Sequence, residues 1–190
     1  TQEIGRFLGY FMGDGSFMTT INNGSTVDFA CDIRDQDVVE DIATLCSDIS
    51  GLNVSRRVTG SKGGCCNLRS NGNEWFKILW HLGALKQHEN KGRYVRNVCV
   101  PECIKRSPRP VIAEFLKGLF EADGCVYEYA TNIQLFSRYE EFLRDVQLLL
   151  FVFGIHSSIQ TQDKKHPDGH TYTGRVLKIP KMDAQKFVQE

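Results

Sequence analysis

Two aspartates stand out by their setting. Residues 7–15 read Phe-Leu-Gly-Tyr-Phe-Met-Gly-Asp-Gly, and residues 116–124 read Leu-Lys-Gly-Leu-Phe-Glu-Ala-Asp-Gly. Gly9, Asp14 and Gly15 precede Gly118, Asp123 and Gly124 by 109 positions, so the two segments align without a gap. Each segment closes an apolar run with helical spacing, which puts Asp14 and Asp123 in a last helical turn. A carboxylate there meets the negative end of the helix dipole, at a cost of about 0.3–1 kcal/mol. If the two helices pack side by side, two anions come together, and a cation is needed. Mg²⁺, or another divalent cation such as Mn²⁺, suits the pair: Mg²⁺ takes one or two carboxylates and keeps its other positions for water and phosphate oxygens. The ordinary alternative is two solvated helix-end aspartates, and the matched repeat tells against it. Gly15 and Gly124 are expected in the left-handed conformation that terminates many helices.

The elements that must position these residues repeat as well. Gly5, Gly9 and Gly13 lie four apart on one helix face, and Gly118 and Ala122 offer a small face on the other. A glycine inside a helix costs about 1 kcal/mol relative to alanine, so close approach of two helix backbones is the natural reason for several. Helices are expected from Ile4 to Gly13 and from Val111 to Ala122, the latter opened by Pro108 and Pro110. Ser16–Ile21 and Val27–Ile33 read as a hairpin through Asn22-Asn23-Gly24. A helix over Val38–Ile49, a hairpin over Val54–Val58 and Cys65–Leu68, and a helix over Glu74–Leu82 follow. The second copy gives strands Val126–Tyr129 and Ile133–Phe136, a helix Tyr139–Phe153, strands His156–Gln162 and Gly174–Ile179, and a helix Met182–Gln189. The expected fold class is α+β: two pseudo-symmetric αββαββα halves, residues 1–107 and 108–190, with antiparallel sheets. The last helix stops abruptly and is expected to be truncated.

Composition bounds the function. The chain has 190 residues, 41% apolar and 24% charged, an ordinary globular balance. The longest apolar run, Leu148 to Phe153, is far short of the ~20 residues of a membrane-spanning helix. No secretory signal is visible and seven cysteines favour reduced thiols, so a cytoplasmic or nucleoid-associated protein is expected rather than a secreted one. The zero net charge hides segregation: residues 1–51 carry −7, 52–110 carry +9, 111–163 carry −5 and 164–190 carry +3. Such segregation can build a positive surface in a chain of neutral pI. Cys65-Cys66 and Cys99 with Cys103 have poor spacing for zinc, and the five histidines show no ligand or triad pattern.

The motifs Phe7–Gly15 and Leu116–Gly124, with Gly9–Ser16 and Val100–Gly124 around them, resemble the LAGLIDADG homing endonucleases. The resemblance covers essentially the whole chain as a two-motif, single-chain member, similar to the endonuclease domains carried inside inteins. It implies a monomer acting on double-stranded DNA, with the two motif helices forming the interface between the halves and a saddle of antiparallel strands in the major groove. It further implies that Asp14 and Asp123 are catalytic metal ligands, with the peptide carbonyls of Gly13 and Ala122 nearby. The reaction implied is in-line attack of metal-activated water on one phosphodiester per strand. Members of that kind carry a lysine three residues before a proline at a position occupied here by Val98, ahead of Pro101. Lys91, Arg93 and Arg96 are the candidates to replace it. The chain begins with Thr1 and ends with Glu190, so no protein splicing is expected from it, and any flanking splicing domain would lie outside it.

Strand alternation assigns a DNA-facing side. With Val54, Val58 and Leu68 turned to the core, Ser55, Arg57, Thr59, Asn67 and Arg69 project oppositely. With Ile133, Leu135 and Ile159 inside, Gln134, Ser158, Gln160 and Gln162 lie outside. Arg, Asn and Gln suit guanine and adenine edges, and Lys62, Lys164, Lys165 and Lys178 suit phosphates. Asp28 and Asp32 are awkward on that face. Two function classes stay open: a site-specific DNA endonuclease, or a weakened DNA-binding or RNA-maturase module of the same fold. Both motif aspartates favour the enzyme; Val98 and the neutral pI favour the binder.

Overall fold

The computed structural model describes all residues except 20–23, 60–63, 89–92, 128–131, 166–170 and 190, and at 127, 164, 165, 171, 172 and 189 it describes the backbone alone. Lys62, the Asn22-Asn23 centre of the first expected turn, His166 and His170, and the side chains of Lys164 and Lys165 therefore lie outside the described residues. The chain forms two compact units, Thr1–Asn97 with Pro101–Ala122, and Val98–Val100 with Asp123–Glu190.

The first unit runs α1 (Gln2–Gly13), β1 (Gly15–Thr19), β2 (Ser25–Asp32), α2 (Gln36–Ser50), β3 (Val54–Thr59), β4 (Cys65–Asn71), α3 (Glu74–His81), β5 (Leu85–Gln87), β6 (Tyr94–Arg96), α4 (Glu102–Lys105) and most of α5 (Arg109–Asp123). The second runs β7 (Gly124–Tyr127), β8 (Asn132–Ser137), α6 (Glu140–Val152), β9 (Ser158–Lys165), β10 (Thr171–Ile179) and α7 (Lys181–Gln189). In chain order αββαββα appears twice, as expected, and the two four-stranded antiparallel sheets share one strand order, β1-β2-β4-β3 and β7-β8-β10-β9. The matching helices α2 and α6 are each followed by a left-handed glycine, Gly51 and Gly154. Sequence reasoning missed β5, β6 and α4, pieces of three or four residues too short to show a period.

α1 is the centre of the first unit. Gly5 and Phe7 through Gly13 are all buried. Phe7 stacks on Trp75 with ring centres 5.1 Å apart and meets Phe29 edge-on at 5.9 Å. The Trp75 indole nitrogen donates to the buried Ser70 Oγ at 2.9 Å, so this aromatic core leaves no indole N–H unpaired. The opposite face of α1 meets α5 backbone to backbone. A Cβ at Gly5 would lie 2.5 Å from the Val111 carbonyl oxygen, and one at Gly9 would lie 2.7 Å from the Leu119 nitrogen and closer still to the Phe115 oxygen. From the other side, Gly118 sits against the Arg6 carbonyl and 3.1 Å from the Tyr10 nitrogen by the same measure. The glycines are thus explained by contact, as their spacing predicts.

Two expectations fail. Gly15 and Gly124 are not left-handed; they open β1 and β7, and among the described residues the positive-φ glycines are Gly51, Gly83 and Gly154. Gly15 is glycine for space, because a Cβ there would lie 2.6 Å from Phe11. Val58 has the inward parity, paired with buried Cys66, yet is 56% exposed, because β3 is an edge strand.

In the second unit Leu135, Leu177 and Ile179 of the sheet and Phe142, Leu143, Val146 and Leu150 of α6 form the core. The Val100 amide donates to Asp145 on α6 at 3.1 Å, tying residues 98–100 to this unit.

The α1–α5 contact predicts a steep cost for one methyl group. Gly9→Ala should lose about 1–3 kcal/mol of unfolding free energy by overpacking, read by urea denaturation. Lys117→Ala, on the exposed side of α5, should stay within about 0.5 kcal/mol.

Candidate functional site

Asp14 is the C-cap of α1. Its amide donates to the Tyr10 carbonyl at 3.0 Å, and its side chain is exposed where β1 begins. α1 has no basic residue in its last turn, so the negative end of the helix dipole needs a charge from elsewhere. Arg96, at the end of β6, supplies it. Arg96 Nη1 donates to the carbonyls of Phe11 at 3.0 Å, Gly13 at 2.5 Å and Gly15 at 3.0 Å. One guanidinium nitrogen thus gathers two of the last carbonyls of the helix and the first carbonyl of β1, on either side of Asp14, and its charge is favourable to the dipole. The Gly13 carbonyl, expected near a metal, is turned to this guanidinium.

Asp14 also lines a cavity of about 230 Å³ with Tyr10, Cys31, Asp32, Asp35, Glu121 and Ala122. The structure therefore brings Asp14 and Ala122, both expected at the site, to one cavity. Four carboxylates border it, and their charges are managed unequally. Arg34 Nη2 meets Asp32 at 2.6 Å and holds that carboxyl down at about 2. Glu121 accepts a hydrogen bond from the Tyr10 hydroxyl and pairs with Arg6 Nη2 at 3.4 Å. Arg6 also reaches Asp41 at 2.5 Å and Glu114 at 3.3 Å, so one guanidinium serves three carboxylates. Burial pulls against the Arg6 charge, and Tyr10 with the carboxylates more than offsets it, so Arg6 stays charged. Burial and the bond to Glu121 keep the Tyr10 phenol protonated. The Cys31 thiol is pushed up to about 12, first by burial and then by the Asp14 carboxylate. Cys31 is thus inert at neutral pH.

The donor set at Asp14 is one of hard oxygen atoms. Among the described residues no three His, Cys, Asp or Glu side chains converge as a closed metal cage. A site with few carboxylates and open positions suits Mg²⁺, which stays partly hydrated. Asp123, the last residue of α5, is exposed and begins the second unit.

The residues expected on the DNA-facing side share faces as the alternation predicts. In the first sheet Arg57 is paired with Asn67 and Ser55 with Arg69, all turned away from α2. Asn67 Nδ2 donates to Thr59 Oγ1 at 3.2 Å. In the second sheet Gln134 and Ser158 flank Lys178, Gln160 pairs with Val176 and Gln162 with Gly174, so all four polar expectations share one face. Gln134 Nε2 donates to Asn132 Oδ1 at 2.8 Å. That face has an apolar centre that sequence reasoning missed: the Phe136 ring lies over Gly174, where a Cβ would clash, beside the buried Val176. The role of Arg96 was also missed, since no local pattern joins it to carbonyls more than 80 positions earlier. The awkward Asp28 and Asp32 are both paired, with Arg69 and Arg34.

The family model of the LAGLIDADG-like domain matches residues 110–190. The homing endonuclease I-DmoI in complex with DNA and Mn aligns over 99% of this chain and 94% of that one, with a TM-score of 0.66 and 18% identity. The fold is that of the LAGLIDADG homing endonucleases. Full-length DUF199/WhiA from Thermatoga maritima aligns over 99% of this chain and 54% of its own, with a TM-score of 0.63 and 16% identity. By sequence, a probable translation initiation factor IF-2 of Thermococcus kodakarensis is 30% identical over 159 residues, 83% of this chain and 12% of that protein. The ribonucleoside-diphosphate reductase NrdEB subunit alpha of Bacillus subtilis is 34% identical over 102 residues, 50% of this chain and 9% of that protein. This chain thus spans only a small part of the length of these curated relatives.

Arg96 gives the end of α1 a direct test. Arg96→Ala removes this donor from two carbonyls of α1 and one of β1 and should cost about 1.5–3 kcal/mol of stability, measured by thermal or urea unfolding. Arg96→Lys should recover part of this loss, since it restores the charge without the guanidinium geometry.

Proposed function

We propose that the chain is a site-specific, divalent-metal-dependent DNA endonuclease that acts as a monomer on a long double-stranded target. The observation that carries this reading is the exposed Asp14 carboxylate at the end of α1, in an acidic cavity, with the helix carbonyls beside it already held by Arg96. The fold is shared with I-DmoI and with WhiA, a chain not named as an endonuclease, so the fold does not decide cleavage and these carboxylates must.

Asp14 and, by the repeat, Asp123 would each serve as a ligand to a divalent cation from the end of its own helix. I-DmoI has been crystallised with DNA and Mn and with DNA and Ca, which supports a divalent ion, Mg²⁺ or Mn²⁺, at the matching site here. When bound, such an ion supplies a Lewis acid and a nucleophile usable at neutral pH. Hydrolysis adds a water oxygen to phosphorus and breaks one phosphorus–oxygen bond to a sugar. Arg96 fixes the helix end from which Asp14 projects. Arg57, Lys178 and, by sequence, Lys62, Lys164 and Lys165 meet phosphates, while Asn67, Arg69, Gln134, Gln160 and Gln162 read base edges.

The relatives support an intein origin. An initiation factor, a ribonucleotide reductase subunit and an aminotransferase share no reaction, yet each contains a segment matching this chain, 9–16% of its length. A segment common to proteins of such different activity behaves as an inserted module. No helix among the described residues is long and apolar enough to cross a membrane, and a DNA substrate places the chain in the cytoplasm or at the nucleoid.

Asp14→Asn and Asp123→Asn separate the enzyme from a binding-only module. On a duplex recovered by cleavage of a host-gene or randomised library in Mg²⁺, each variant should lose about 1000-fold or more in cleavage rate. Binding of the same duplex in Ca²⁺ should stay within a few-fold. Variants that cleave as the wild type does, or a wild type that binds and never cuts, would contradict the enzymatic reading.

A further inference from the structure

On the outward face of the first sheet one arginine is held and another is not. Asp28 on β2 and Arg69 on β4 are direct cross-strand partners. Arg69 Nε donates to Asp28 Oδ1 at 2.6 Å and Arg69 Nη2 to Asp28 Oδ2 at 3.1 Å. A guanidinium has two edges that can form paired hydrogen bonds, Nε with Nη2 and Nη1 with Nη2. Asp28 occupies the first. The second, with both protons of Nη1 and one of Nη2, remains, and among the described residues Nη1 has no acceptor. The pair is not buried away from a ligand, since the Arg69 side chain is 54% exposed while Asp28 is 16% exposed beneath it. Its backbone is fixed too, because Ser55 Oγ on the neighbouring strand donates to the Arg69 carbonyl at 3.0 Å. Arg57, exposed on the same face, has no ion pair among the described residues.

We propose that Asp28 orients Arg69 so that its free Nη1–Nη2 edge reads a single guanine, through O6 and N7, in the major groove. This rests on the DNA-binding reading above. The guanidinium loses rotamer freedom before DNA arrives, so less is lost per bond formed on binding. Asp28, on the same face and largely covered, is a positioning residue. It repels neither phosphate nor base, because its charge is spent on Arg69. Arg57, unheld, contributes charge and steering without base choice.

The test is selection of a randomised duplex library by the full chain in Ca²⁺, followed by titration of the enriched duplex and its single-base variants. Wild type should prefer guanine over the other bases at one position by about 10- to 100-fold. Arg69→Ala and Arg69→Lys should both lose that preference, the lysine variant while keeping most of its affinity. Asp28→Asn should weaken the preference at the same base pair with overall affinity within a few-fold. Arg57→Ala should weaken binding to all duplexes alike and flatten its salt dependence. A uniform gain in affinity for Asp28→Asn with base preference unchanged would overturn the inference, since Asp28 would then only mask a phosphate contact. So would a wild-type site with no guanine that depends on both residues. A wild type that enriches no sequence would overturn the DNA-binding reading itself.

Discussion

The contact between α1 and α5 constrains everything around it. Their backbones touch at Gly5, Gly9 and Gly118, where any side chain would meet a carbonyl or amide of the other helix. That closeness leaves α1 with no solvent face over most of its length. The aromatic side of the helix is then pressed into Phe29 and Trp75 of the first unit. It also limits where polar groups can go. Arg6, on the same helix, must find its partners in the narrow space that α2 and α5 leave, and it does so with Asp41, Glu114 and Glu121.

The end of α1 follows from the same constraint. A buried helix cannot leave its last carbonyls to water. Arg96 from β6 takes two of them, Phe11 and Gly13, together with the Gly15 carbonyl of β1, through a single nitrogen, and the exposed Asp14 lies between. Around it, Arg34 and Arg6 offset Asp32 and Glu121, so the structure manages its own acidity close to the Asp14 carboxylate. The pattern is a structural scaffold that concentrates negative charge without unfolding under it.

Much of this was legible in the sequence, for definite reasons. The glycine spacing announced a close helix pair, and the Asp-Gly repeat announced two matched helix ends. Alternation placed Arg57, Asn67 and Arg69 on one face and Gln134, Ser158, Gln160 and Gln162 on another. What failed depended on partners far along the chain or on strand position. Gly15 is set by the bulk of Phe11 rather than by backbone handedness. Val58 is exposed because its strand is an edge. Asp28 looked misplaced until Arg69, 41 residues later, came to lie beside it. Arg96 belonged to a three-residue strand with no period to reveal it.

The most direct measurement is the anomalous scattering of Mn²⁺ in a crystal of this chain bound to its own duplex. A peak about 2.1 Å from an Asp14 carboxylate oxygen, shared with a phosphate oxygen of DNA lying on the first-sheet strands around Arg69, is the expected result. DNA bound on those strands with Asp14 free of metal, or metal held only at other residues, would contradict the reading of Asp14 as the ligand on which cleavage depends.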